Sequence, residues 1–209
     1  VQVSFATQRP PAAAVVLLLA SPDTQVTGTD TVIITSAELV LRSVEMRRAN
    51  TTDCAGADSC EEFAAGPVLV SLPLGRGVQP QFSLDAAPNT YVEVRFDIHK
   101  VSNDDASDAA FLAAHPDFAN RSLRVLGTFN GTPFTYASDL NVTQRLALVP
   151  ALVVLGDGSG TNVTILSDLH AWFRVGGVLV NPATANKGGQ NENAVRDNIK
   201  ASFEAFNDP

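Results

Sequence analysis

Val1-Gln2-Val3-Ser4-Phe5-Ala6-Thr7 opens the 209-residue chain. Val1, Val3 and Phe5 alternate with the polar Gln2 and Ser4, the period-2 pattern of a strand with one buried face. Gln8-Arg9-Pro10-Pro11 follows. Two prolines remove ladder donors and favour extended polyproline geometry, so this strand cannot fold straight back into a tight hairpin. Its partner is remote. Either it completes a sheet of its own chain from a distance, or it enters a slot in another copy. The run Ala12 to Ala20 comes next; its nine apolar residues fall far short of the roughly 20 that span a bilayer.

Working outward, strand signals recur along the chain. Thr90-Tyr91-Val92-Glu93-Val94-Arg95-Phe96-Asp97-Ile98-His99 is the clearest. Its alternation predicts Val92, Val94, Phe96 and Ile98 in the core, with Tyr91, Glu93, Arg95, Asp97 and His99 toward solvent or a partner. Thr29 to Met46 reads as one or two strands. Val32 and Ile34 lie opposite in parity to Leu39 and Leu41, which predicts a bulge near Ser36-Ala37. Pro67–Leu72, Gln81–Leu84, Leu123–Phe129, Gln144–Leu155 and Asn162–Leu169 are further strands, and Asn130-Gly131 is a hairpin turn. Asp105, with Asp108 three residues on, predicts the cap of a short helix ending at Pro116. Val195, Ile199, Phe203 and Phe206 form one apolar stripe and predict a helix from about Glu192 to Phe206. Eight or more short strands with regular turns point to a mainly β fold, a β-sandwich with one short internal helix and a C-terminal helix. Two segments are expected: residues 1–20 as an extended strand and linker, and 21–209 as a single sandwich domain.

The composition narrows the function. The net charge is −8, from 14 Lys and Arg against 22 Asp and Glu, which argues against binding nucleic acid through a basic face. Cys54 and Cys60 flank a short polar loop and are expected to form a local disulfide, which implies an oxidising compartment. A chain beginning at Val1 reads as a mature product after removal of a signal peptide. Secretion or cell-surface display follows as the expectation, with no membrane span.

Chemistry-bearing motifs are sparse. His99, His115 and His170 sit in no metal-ligand spacing, so no zinc is expected. Asn103-Asp104-Asp105-Ala106-Ser107-Asp108 offers hard oxygen ligands that could hold calcium, but helix capping accounts for the same residues and no EF-hand spacing is present. Gly156-Asp157-Gly158-Ser159-Gly160 misplaces its serine for a nucleophile elbow and reads as a hairpin tip. Dinucleotide and phosphate-loop patterns are absent. No catalytic residue and no cofactor is therefore expected, and the chain does not read as an enzyme. Asn50, Asn120, Asn130, Asn141 and Asn162 each head an Asn-x-Ser/Thr sequon and are candidate glycosylation positions facing water.

Four segments carry a family resemblance: Ile34-Thr35-Ser36-Ala37-Glu38-Leu39-Val40-Leu41-Arg42, Gly66-Pro67-Val68-Leu69-Val70, Gly127-Thr128-Phe129-Asn130-Gly131-Thr132-Pro133-Phe134, and Asn198-Ile199 to Phe206. Together they resemble secreted bacterial proteins related to the DUF4382 domain. These are packing and turn motifs, and the resemblance carries over no active site. It implies a transthyretin-like or immunoglobulin-like sandwich, exported and often surface-attached.

The function expected from these readings is structural. Val1, Val3 and Phe5 would be donated to a neighbouring identical subunit, building a pilus-like, head-to-tail homopolymer. The alternative is a secreted glycan-binding or adhesive sandwich module. For that role one Trp and two Tyr are a thin supply of exposed aromatics.

Overall fold

Nineteen residues rich in Val, Ile and Thr, Asp30–Arg48, form one long strand, β3, and the larger sheet is assembled on it. One edge of β3 pairs in succession with β2 (Asp23–Thr27), β5 (Val68–Ser71) and β4 (Cys60–Ala64). The other edge pairs with β8 (Leu123–Phe129) and β7 (Asn89–Ile98). Beyond these lie β9 (Thr132–Ser138) and β10 (Val142–Val154), giving the order β10-β7-β3-β8-β9. The second sheet has the order β14-β11-β1-β6, from β14 (Phe203–Asp208), β11 (Asn162–Ser167), β1 (Gln2–Ala6) and β6 (Val78–Ser83). A small ribbon, β12 (Arg174–Val175) with β13 (Val178–Leu179), completes the strands. This computed structural model describes residues 1–7, 22–54, 59–64, 66–75, 78–83, 85–156 and 160–208. The Pro10-Pro11 hinge, the Ala12–Ala20 run and residues 157–159 of the glycine loop lie outside the described residues.

The two sheets pack face to face as a β-sandwich. Val3, Phe5, Val163 and Ile165 of the second sheet join Leu39, Leu41, Val94, Phe96 and Ile98 of the first in one buried cluster. Phe96 meets Phe203 across the layers edge-on, with ring centroids 5.5 Å apart. Trp172, in the short helix α2 (Leu169–Trp172), is fully buried and donates Nε1–H to Ser202 Oγ at 2.8 Å. The outer face of β3 is covered locally. Val40 packs with Phe111 of α1 (Ala109–Ala114) and with Phe118, so Val40 and its neighbours Leu39 and Leu41 are all buried.

The local signals mostly hold, and the departures have physical causes. The β3 register shifts between Ile34 and Ser36, where the parity change requires it, and Val32, Ile34, Leu39 and Leu41 all reach the core. On β7 the alternation breaks at its start. Arg48 faces Tyr91 and Arg47 faces Glu93, so Val92 is an extra residue and the strand changes face there. Tyr91 is consequently buried, not solvent-facing, and Val92 is only half-buried. Asp105 caps its turn, accepting from Ser107 N, but Asp108 is buried and does not complete a capping box.

The C-terminal helix is shorter than expected. Helix α3 covers Glu192–Ala201 and buries Val195 and Ile199. Phe203 and Phe206 belong to β14, which pairs antiparallel with β11 from Ser167↔Phe203 to Asn162↔Asp208. Six residues thereby pair with β11, which about one and a half further helical turns would not allow.

Gly127 sits where β8 crosses the β3 bulge. A Cβ there would lie 2.0 Å from the Ile33 carbonyl oxygen, inside any backbone contact distance. Gly127→Ala must push β8 off β3, and overpacking of this kind costs about 1–3 kcal/mol. Thermal denaturation is expected to show a loss of about 2–4 °C per kcal/mol for a chain of this size.

Candidate functional site

The residues expected to act in trans are found inside their own chain's sheet. β1 runs parallel to β11, from Gln2↔Asn162 to Ala6↔Leu166, and antiparallel to β6, from Gln2↔Ser83 to Ala6↔Val78. Both backbone edges of β1 are therefore paired. Val3 and Phe5 are fully buried, while Val1 is half-buried against the same core. The Ser4 hydroxyl donates to Asn162 Oδ1 at 2.9 Å, and buried Thr7 donates to the Pro73 carbonyl. β1 is an internal strand of the sandwich, because β6 and β11 both need its backbone groups.

Cys54 and Cys60 are bonded, six positions apart. The bridge ties the chain leaving β3 to the first residue of β4, where Arg47 pairs with Cys60. Closing so short a loop in the unfolded chain stabilises the fold by about 2 kcal/mol. Urea denaturation of a Cys54→Ser/Cys60→Ser variant is expected to show that loss.

The sequon asparagines divide into two groups. Asn50, Asn120 and Asn141 are exposed. Asn130, also exposed, stands at φ +50° in the β8–β9 turn; its side chain accepts from Thr31 N and donates to Asp30 Oδ1. Asn162 is half-buried within β11, and its amide bonds Ser4 and Thr164. Asn141 Oδ1 accepts from Lys100 N at 3.2 Å, so the Asn130 and Asn141 amides hold backbone while the Asn162 amide holds two hydroxyls.

Two histidine clusters were not legible in the sequence. His99, expected on an exposed face, is buried, with Nε2 at 2.8 and 3.0 Å from the two carboxylate oxygens of buried Asp108. Ser102 N also donates to Asp108 Oδ2, at 2.8 Å. Asp105 completes a group of three with ligand-like spacing. Arg42 already fills the centre of that group. Its Nη1 lies 3.1 Å from Asp105 Oδ2, 3.8 Å from Asp108 Oδ1 and 3.4 Å from His99 Nε2. A fixed guanidinium takes the place a metal ion would need, and repels a second cation. Hydrogen bonds from the Ser107 hydroxyl and backbone, and then from Arg42, hold the Asp105 carboxyl down to about 2. The acidic loop therefore folds around an organic cation from β3. His115, by contrast, ends α1 and lies against Phe111, ring centroids 4.8 Å apart and planes tilted by 42°.

The second cluster ties β2 to α2. Alternate residues of β2 share one face: Asp23 pairs with His170 Nε2 at 3.0 Å, Gln25 donates to the Leu169 carbonyl, and Thr27 accepts from Arg174 Nη1. The hydrogen bond to Asp23 raises the His170 pKa above its ordinary value, against the opposing effect of burial. A histidine whose folded pKa is raised stabilises the fold fully below its unfolded pKa of about 6.5, and that stability is lost as pH climbs through the folded value. Melting temperature is therefore expected to fall as pH rises from about 6.5 through the folded pKa in the native protein, and to fall less in His170→Gln.

Together these features define a disulfide-bonded β-sandwich in which polar clusters join strands. Among the described residues no helix is long and apolar enough to cross a membrane. Comparisons with protein-family models, with curated proteins and with solved structures find no match to this chain.

Proposed function

We propose that the protein is an extracellular structural subunit related to DUF4382-type exported proteins. In this reading β1 completes the sheet within a monomer and is exchanged between copies in an assembly. The observation that carries the reading is the position of β6: among the described residues its only ladder partner is β1. The slot between β6 and β11 exists only when a strand with the β1 sequence fills it. Val3 and Phe5 supply the anchors, each contributing about 1.5–3 kcal/mol by burial, and the pairing on both edges sets the register.

Reach and concentration decide which copy fills the slot. β1 joins β2 through residues 7–22, sixteen positions that span at most about 53–58 Å. A domain of this size is about 43 Å across. The segment can thus serve its own slot or an adjacent one. Closure within the chain acts at an effective concentration on the order of millimolar, so dilute protein is monomeric and trans pairing needs crowded neighbours. Three edge strands are blunted against sheet extension. Edge strand β6 carries Pro80, β10 carries Pro150, and the Asn186 side chain pairs with Ala137 N and the Thr135 carbonyl along β9.

Deletion of residues 1–9 and addition of a synthetic peptide of those residues tests the slot directly. One-to-one peptide binding with recovery of the native melting transition is expected. Full-length protein refolded at increasing concentration is expected to give growing oligomers by light scattering. A folded truncated chain that ignores the peptide would sink the reading. So would a full-length chain that refolds to monomer at every concentration.

A further inference from the structure

A groove of about 430 Å³ lies where the end of β9 meets the first turns of α3, and it inverts the charge of the molecule. The chain carries −8 overall. The groove is lined by Lys100, Arg121, Lys187 and Arg196 against Asp139 and Glu192, four cations to two carboxylates.

The charges are not equivalent. Asp139 is bracketed by Arg196 on one oxygen and by Lys187, at 3.1 Å, on the other. Arg196, then Lys187, holds its carboxyl below the usual carboxylate range, so it stays ionised and, with Glu192, balances these two cations. Glu192 adds a contact to Arg196 at 3.5 Å and accepts from Gly188 N. Arg121 donates to the uncharged Asp117 carbonyl at 3.0 Å, and neither Arg121 nor Lys100 makes an ion pair among the described residues. Two uncompensated cations thus face one groove whose far wall is fixed by internal ion pairs. The Asn186 amide pins that wall to β9.

The lining also constrains the ligand. Every lining side chain is polar or charged except Ala137 and Ala185, and no aromatic ring is present. Such walls offer nothing to a hydrocarbon or a stacked base. They suit a hydrated molecule with hydroxyls for the neutral rim, which includes exposed Asn120, and an anionic oxygen pair for the cations. The volume falls within the range of small-ligand sites. We propose that this groove binds an acidic saccharide, its uronate carboxylate drawn to Lys100 and Arg121. Binding here is independent of strand exchange, since β1 contributes no residue to the groove.

The test is calorimetric titration of the full chain, produced without N-glycans, with digalacturonate, with a neutral disaccharide and with inorganic sulfate. Digalacturonate is expected to bind saturably, more weakly as salt rises, and at least about tenfold more tightly than either control. Lys100→Ala and Arg121→Gln are each expected to lower that affinity at least about tenfold; Lys100→Ala leaves the melting temperature unchanged, and Arg121→Gln keeps a donor for the Asp117 carbonyl. Absence of saturable binding overturns the proposal. Equal binding of the neutral disaccharide, equal binding of sulfate (an unspecific anion site), or full affinity in both variants overturns it as well.

Discussion

A strand in the middle of a sheet must satisfy two rows of backbone donors and acceptors, and β1 satisfies both inside its own chain. That constraint organises the smaller sheet. Without β1, β11 keeps only β14 and β6 keeps no ladder partner among the described residues. The loss would reach the core, because Val3 and Phe5 belong to the cluster that joins the sheets. The partner strands are far apart in sequence: β6 begins at Val78 and β11 at Asn162. The sheet can close only after both have been placed, and contacts of such separation are entropically expensive to form early.

The larger sheet solves a different problem. β3 is long enough to seat three short strands on one edge and two on the other, and it changes face near Ile34 to keep both halves in the core. Polar clusters then fasten peripheral elements to this spine. Arg42 reaches from β3 into the acidic loop, where it meets His99, Asp105 and Asp108. Arg124 pairs with Glu38 and Asp117, and its guanidinium lies 5.0 Å from the centre of the Phe118 ring. These residues resemble a binding site in composition, yet each charge is met by a protein partner. The groove beside β9 differs because Lys100 and Arg121 are not so met.

What the sequence showed and what it hid follow from range. The β8–β9 hairpin was legible because Asn130 and Gly131, at φ +50° and +78°, are the residues such a turn requires. The disulfide was legible from a short polar loop. The face of Tyr91 was not, since a single bulged residue at Val92 inverts the pattern and no local residue type announces it. Phe203 fits both a helical stripe and a strand, so only its pairing with Ser167 separates them. Neither the parallel partnership of β1 with β11 nor the meeting of Lys100 and Arg121 with Lys187 and Arg196 has any local signature. Both depend on how distant segments are brought together.

Backbone amide hydrogen exchange read strand by strand tests the central claim most directly. An internal β1 predicts slow exchange for Val3 to Ala6, matching β11, with β6 protected to a similar degree. Rapid exchange throughout β1 while β11 and the larger sheet stay protected would contradict it, and would mean that the slot is not filled by the chain's own strand.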